Sequence, residues 1–150
     1  MTPGLADGSQ AQANKATVAH ILERLNAGDV DSFVDALAPG YARHCQAMPA
    51  GMEEIRGPEA MRQWLRGNQL AFPDYEERLE HLVAEGDFVA WRSVGSGTQS
   101  GAFGPLPPTG RRMSIVIIGM HRFERGKIAE TWTSWDNLTV LRQLGLLPGP

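Results

Sequence analysis

The run Ser114–Phe123, SIVIIGMHRF, is followed by Glu124–Lys127, ERGK, and then Ile128–Trp135, IAETWTSW. The two outer runs are rich in β-branched and aromatic residues, and the four residues between them include Gly126. They read as a hairpin of two long strands. Alternation puts Ile128, Glu130, Trp132, Ser134 and Asp136 on one face, provided that no bulge intervenes. A carboxylate at the end of such a face, beside Trp132, is expected in low-dielectric surroundings. These disfavour its charged form and tune it for proton transfer near neutral pH. His121 lies on the facing strand. Asp136 and His121 are therefore the candidate acid/base pair, with no metal-binding or nucleotide-binding motif beside them. Asp is also a preferred N-cap, so Asp136 could instead accept from Leu138 or Thr139 at the start of a last helix.

Upstream of the hairpin, Tyr75–Ala84 and Phe88 to about Gly101 read as two more strands, joined by a turn at Glu85-Gly86-Asp87. Gly101–Arg111 is a Gly/Pro loop. The N-terminal half reads as helical. Ala16, Val18, Ala19, Leu22 and Leu25 recur at helical spacing. Asp29 can cap a short helix through Leu37, and Pro58 can open a third that runs to about Leu70. Tyr41–Gln46 is a short strand carrying His44, Met48–Gly57 is a loop, and Leu138–Leu144 is a terminal helix. Residues 1–12 are expected to be a flexible tail and 13–150 a single domain. Helices followed by antiparallel strands make an α+β layout. The absence of βαβ alternation and of a Gly-rich phosphate fingerprint argues against a dinucleotide fold.

The totals narrow the class further. Fourteen basic and 17 acidic residues give a net charge of −3 without a basic run, which argues against nucleic-acid binding. No stretch is long and apolar enough for a membrane span, and Met1–Asn14 lacks the apolar core of a signal peptide. The single cysteine, Cys45, cannot form an internal disulfide and is expected to be a small buried hydrophobe, so a cytoplasmic location is expected.

Six segments, in order, carry a resemblance: Phe72-Pro73-Asp74; Gly86–Ala90; Gly97–Gly101; Pro107–Arg111; Gly126–Trp132; and Asp136-Asn137-Leu138 with Leu141–Gly145. On these the chain resembles the SnoaL-like polyketide cyclase family of the nuclear transport factor 2-like superfamily, from about Ala16 to Leu147. The resemblance implies a cone-shaped α+β barrel: a curved, mostly antiparallel sheet and N-terminal helices enclosing an apolar pocket. It implies aldol ring closure of a polyketide-type substrate, small and apolar or aromatic, with no cofactor and no metal. The position matching Asp136 would carry the proton, with His121 near it. Relatives on this fold also hydrolyse epoxides, hydroxylate without a cofactor, isomerise steroids or only bind ligands, so fold alone does not fix the reaction.

The expected substrate-binding residues are His44, Trp64, Trp91, Arg92, Gln99 and Trp132. Gln99 stands where the family often has histidine; it can hold a carbonyl but cannot carry a proton at neutral pH. Asp136, Arg92 and Gln99 could together also hold a water for epoxide opening. Arg92 could equally pair with a cross-strand acid. Glu130 is expected to be a structural partner, and Met48 and Met52 are candidates for a lid. The resemblance also implies a homodimer or homotetramer through the outer sheet face. Val116, Ile118 and Met120 on one side of their strand, against Ile115 and Ile117 on the other, agree with a strand covered on both faces.

Overall fold

The computed structural model describes residues 3–147; residues 1 and 2 of the expected tail and 148–150 at the end of the expected domain lie outside the described residues. The elements run α1 (Pro3–Asn26), α2 (Val30–Asp35), β1 (Leu37–His44), β2 (Glu54–Arg56), α3 (Pro58–Ala71), β3 (Glu76–Glu85), β4 (Phe88–Thr98), β5 (Arg112–Glu124), β6 (Lys127–Trp135) and α4 (Asn137–Gln143). The α+β layout expected from the sequence is the one observed. The strands form a single curved sheet in the order β2-β1-β6-β5-β4-β3, which stays unclosed between β2 and β3. Every pairing is antiparallel except that of β1 with β6.

Local chemistry sets the boundaries. Asp29 caps α2, its carboxylate accepting from the Ser32 amide at 3.0 Å. Pro58 opens α3 and costs no helical hydrogen bond there. The β5–β6 hairpin closes on Arg125 (φ 52°) and Gly126 (φ 77°), the two positive angles that suit the right-handed twist of the flanking strands. Three elements differ from the sequence reading. Strand β1 begins at Leu37, the residue read as the end of the second helix, takes in Pro39 and Gly40, and ends at His44 rather than Gln46. The stretch Met48–Gly57, read as loop, contains the three-residue strand β2, held against Ala42–His44. The first helix begins at Pro3, upstream of the apolar repeat, and buries Ala11 and Asn14.

Helices α1, α2 and α3 cover the inner face of the sheet. Beneath them Val18, Ile21, Phe33, Leu65, Phe123 and Ile128 form one apolar cluster. A second cluster, with Phe72, Met113, Ile115, Ile117 and Leu144, closes the other end. On β5 the alternation is clean. Met113, Ile115, Ile117, His121 and Phe123 point in, while Val116, Ile118 and Met120 stand exposed on the outer face.

A bulge on β6 corrects the expected common face of its residues. Arg122 pairs with Glu130 but Phe123 pairs with Ile128, so Ala129 is the extra residue. Ile128 therefore points into the core. From Glu130 onward it is Thr131, Thr133 and Trp135 that face inward, while Trp132 packs against His44 and Phe88 on the outer side.

Candidate active site

Between the two apolar clusters lies a cavity of about 130 Å³. Its wall is largely hydrocarbon and aromatic, from Val18, Ile21, Leu65, Phe72, Ile117 and three tryptophans, Trp64, Trp91 and Trp135. The polar groups that interrupt this wall are few, as in most small-molecule sites.

One group of them forms a row across the sheet. Arg43 on β1 is in register with Thr131 on β6, and Thr131 is in register with His121 on β5. His121 Nδ1 lies 2.7 Å from Thr131 Oγ1, and the Tyr41 hydroxyl lies 2.9 Å from the same oxygen. All three side chains are buried. Every hydroxyl proton is used if Tyr41 donates to Thr131 and Thr131 donates to Nδ1, which leaves the proton of the neutral ring on Nε2. Burial pushes the His121 pKa down to about 3, helped by the charge of Arg43, so the ring is neutral at physiological pH. Burial pushes the Tyr41 hydroxyl up to about 12, so it remains a donor. His121 stacks on Trp91 with ring centroids 4.3 Å apart. Gly119 permits this: a Cβ there would come within 2.3 Å of the Trp91 ring.

Glu77 on edge strand β3 supplies the carboxyl. Two backbone contacts to the last residue of α1 fix the strand at that point. Asn26 Nδ2 donates to the Glu77 carbonyl at 2.8 Å, and the Glu77 amide donates to Asn26 Oδ1 at 2.9 Å. The Ser93 hydroxyl donates to one carboxyl oxygen at 2.5 Å and the Tyr75 hydroxyl to the other at 3.2 Å. Burial raises the Glu77 pKa above its ordinary 4.5, against the opposing pull of these two donors and of Arg43. Among the described residues it is the one carboxyl on the cavity wall.

Arg43 is 4% exposed, and its guanidinium lies over the Trp64 ring, 4.2 Å from the centroid, and 5.8 Å from that of Trp135. Its Nη1 is enclosed and has no hydrogen-bond partner among the described residues. Burial lowers its pKa, but a guanidinium remains a cation.

Of the residues expected at the site, His121, Trp64 and Trp91 line the cavity. The others do not, each for a local reason. Asp136 is exposed and caps α4: its carboxylate accepts from the amides of Leu138 at 3.1 Å and Thr139 at 3.2 Å, and from the Thr139 hydroxyl at 2.7 Å. The Thr139 hydroxyl first, then these amides, hold its pKa below the usual 3.8, opposite to the rise expected for a pocket carboxylate. Trp132 and His44 stack on each other on the outer face, and His44 Nε2 lies 2.7 Å from the Glu130 carboxylate. Arg92 pairs with Glu80 on the neighbouring strand. Gln99 is fully buried but spends its amide on the Gly/Pro loop, donating to the Pro107 carbonyl at 3.0 Å and accepting from the Thr109 hydroxyl at 2.7 Å. The water-holding set of Asp136, Arg92 and Gln99 is thus not brought together at the cavity. Met48 is buried and Met52 exposed, and neither lines the cavity. Among the described residues no three His, Cys, Asp or Glu side chains converge as metal ligands.

Sequence reasoning missed Glu77, Arg43, Thr131 and Tyr41 as residues of the cavity wall. A signal for two of them was present. Glu77 shares its parity with Tyr75 and Leu79, and Arg43 shares its parity with Tyr41 and Cys45, so each is a charge on an otherwise apolar face.

The model of the SnoaL-like polyketide cyclase family matches residues 16–144. Solved structures agree. IdmH from Streptomyces antibioticus, a candidate polyketide cyclase, is 34% identical with a TM-score of 0.74, over 88% of this chain and 98% of its own. TsrD from Streptomyces laurentii is 33% identical with a TM-score of 0.77, over 91% and 97%. AclR from Streptomyces galilaeus, a candidate hydroxylase, is 27% identical with a TM-score of 0.79, over 92% and 99%. No curated protein sequence matches the chain.

Proposed function

The chain belongs to the SnoaL-like polyketide cyclase family, and on that premise we propose that it closes a ring in a polyketide or related natural-product intermediate by intramolecular aldol condensation, without a cofactor. The observation that carries the reading is a single carboxyl, Glu77, with raised proton affinity, on an apolar aromatic cavity that also holds a neutral imidazole.

Glu77 is the base. It takes a proton alpha to a substrate carbonyl, and the C–H electron pair moves into the enolate. His121 Nε2–H donates to the enolate oxygen; as a neutral donor it needs no proton of its own to be removed. The enolate carbon attacks the second carbonyl, a C–C bond forms, and the new alkoxide takes the proton back from Glu77. Aromatic walls fold a flexible polyketone into one reactive geometry, which accounts for much of the rate in a reaction of this kind. Asp136 acts as the cap of α4 and not as the proton carrier.

The likeness to AclR supports a second reading, cofactor-free hydroxylation in the same cavity. Incubation of the purified protein with a linear aryl polyketone under ¹⁸O₂ in unlabelled water tests both. Ring closure gives a cyclic product of unchanged mass, or one lighter by water. A product that carries ¹⁸O would select hydroxylation.

The exposed outer face of β5, with Val116, Ile118 and Met120, is proposed as a homodimer contact. Cys45 is a buried free thiol, in keeping with a reducing, cytoplasmic setting. No helix among the described residues is long and apolar enough to cross a membrane.

A further inference from the structure

We propose that Arg43 is an anion-binding subsite of the cavity and that its ligand is a flat aromatic or conjugated molecule bearing an oxyanion. The inference narrows the substrate class of the site proposed above, and it rests on that reading only in taking this cavity to be where substrate binds.

Four observations converge on Arg43. The guanidinium is buried on the cavity wall, with Nη1 enclosed and unpartnered among the described residues. Buried charges in proteins are almost always paired, because an uncompensated one is strongly destabilising. The cavity's carboxyl, Glu77, takes its hydrogen bonds from Ser93 and Tyr75 and acts on Arg43 through its charge alone. Finally, the guanidinium lies against two aromatic rings, 4.2 Å from the Trp64 centroid and 5.8 Å from that of Trp135, a packing that takes up none of its N–H donors.

The register places this subsite. Arg43 lies directly beside Thr131, which lies directly beside His121. An oxyanion on Arg43 is therefore held one strand away from the Thr131–His121 pair, with the ligand's apolar body left to the tryptophan-lined wall. A carboxylate fits the fork with two parallel bonds; an enolate or phenolate oxygen fits it with one. Both are the same chemistry, an oxyanion on a conjugated frame. A neutral ester or amide would leave the buried cation without a hydrogen-bonded anion.

Calorimetric titration with 2-naphthoate, 2-naphthamide and 2-naphthol at neutral pH tests the subsite without turnover. Wild-type protein is expected to bind 2-naphthoate about tenfold or more tighter than 2-naphthamide. In Arg43→Met the two affinities converge, and Arg43→Lys retains part of the preference. Binding of 2-naphthol with the absorbance of its anion would assign the natural oxyanion to the enolate or phenolate type; exclusion of 2-naphthol would assign it to a carboxylate. Equal wild-type affinities for 2-naphthoate and 2-naphthamide, no wild-type binding of 2-naphthoate, or a preference that survives Arg43→Met would each overturn the proposal. If Arg43→Met does not fold, the wild-type comparison and Arg43→Lys decide. Glu77→Gln separates the two readings: it keeps the preference for 2-naphthoate, so loss of turnover there bears on the base and not on the subsite.

Discussion

His121 and Thr131 face each other directly across the β5–β6 ladder, with Nδ1 and Oγ1 2.7 Å apart. The pairing suits a neutral ring that donates from Nε2. With the Tyr41 hydroxyl donating to the same threonine oxygen and Thr131 donating on to Nδ1, the chain of hydrogen bonds ends on Nε2–H. A residue type usually assigned to proton shuttling is here buried and neutral.

That neutrality predicts an acid-dependent stability. The folded pKa of His121, about 3, lies below its ordinary 6.5. Between those values the unfolded chain binds the proton and the folded chain does not. The contribution is thus intact above 6.5 and is lost as the pH falls toward 3, at about 1.4 kcal/mol per pH unit. Urea unfolding across this window is expected to give a shallower pH slope in His121→Gln than in wild type, whatever the absolute stability of the variant. Parallel slopes would contradict the assignment.

Gly119 is the position where the stack of Trp91 on His121 is most exposed to a small change. A Cβ there would lie 2.3 Å from the Trp91 ring and 2.8 Å from the Trp132 carbonyl oxygen. Gly119→Ala is expected to cost about 1–3 kcal/mol of stability, as overpacking does, and to alter the near-UV circular dichroism of the stacked ring. An unchanged urea midpoint would argue against the packing described here.

The outer face of β5 predicts an assembly. Ile118 is 59% exposed between Val116 and Met120. Sedimentation velocity is expected to find a homodimer at micromolar concentration in wild type and a monomer in Ile118→Asp. A wild-type monomer would remove the proposed contact.

Asp136 predicts a purely structural phenotype. Its carboxylate caps α4 through the Leu138 and Thr139 amides and the Thr139 hydroxyl. Asp136→Ala is expected to lower the Tm by a few degrees, and Asp136→Asn, which keeps an acceptor, by much less. Thermal denaturation of the two variants checks this. Equal losses in both would mean that the charge matters beyond the cap.

The fold was legible in the sequence because its signals are local and periodic. Asp29, Pro58, Gly86 and Gly126 mark boundaries by their own backbone chemistry, and β5 alternates without interruption. The family resemblance added the curved sheet. The site was less legible, since it depends on which way each face turns. One extra residue, Ala129, separates Ile128 from the face that carries Trp132 and Asp136, and no local feature of IAETWTSW announces it. His121 is legible from its place on the strand facing β6 and from the family resemblance, and Trp64 and Trp91 as flat walls suited to an aromatic substrate. Glu77 and Arg43 were passed over because single charges in strands are usually solvated, although their apolar neighbours of like parity mark them as inward-facing.

The proton carrier is the central claim, and paired kinetics of Glu77→Gln and Asp136→Asn on one cyclisable polyketone test it most directly. Glu77→Gln is expected to lower kcat by about 10²–10⁴-fold, as loss of a general base does, while Asp136→Asn stays within about twofold of wild type. The reverse pattern, with Glu77→Gln active and Asp136→Asn inactive, would contradict the account.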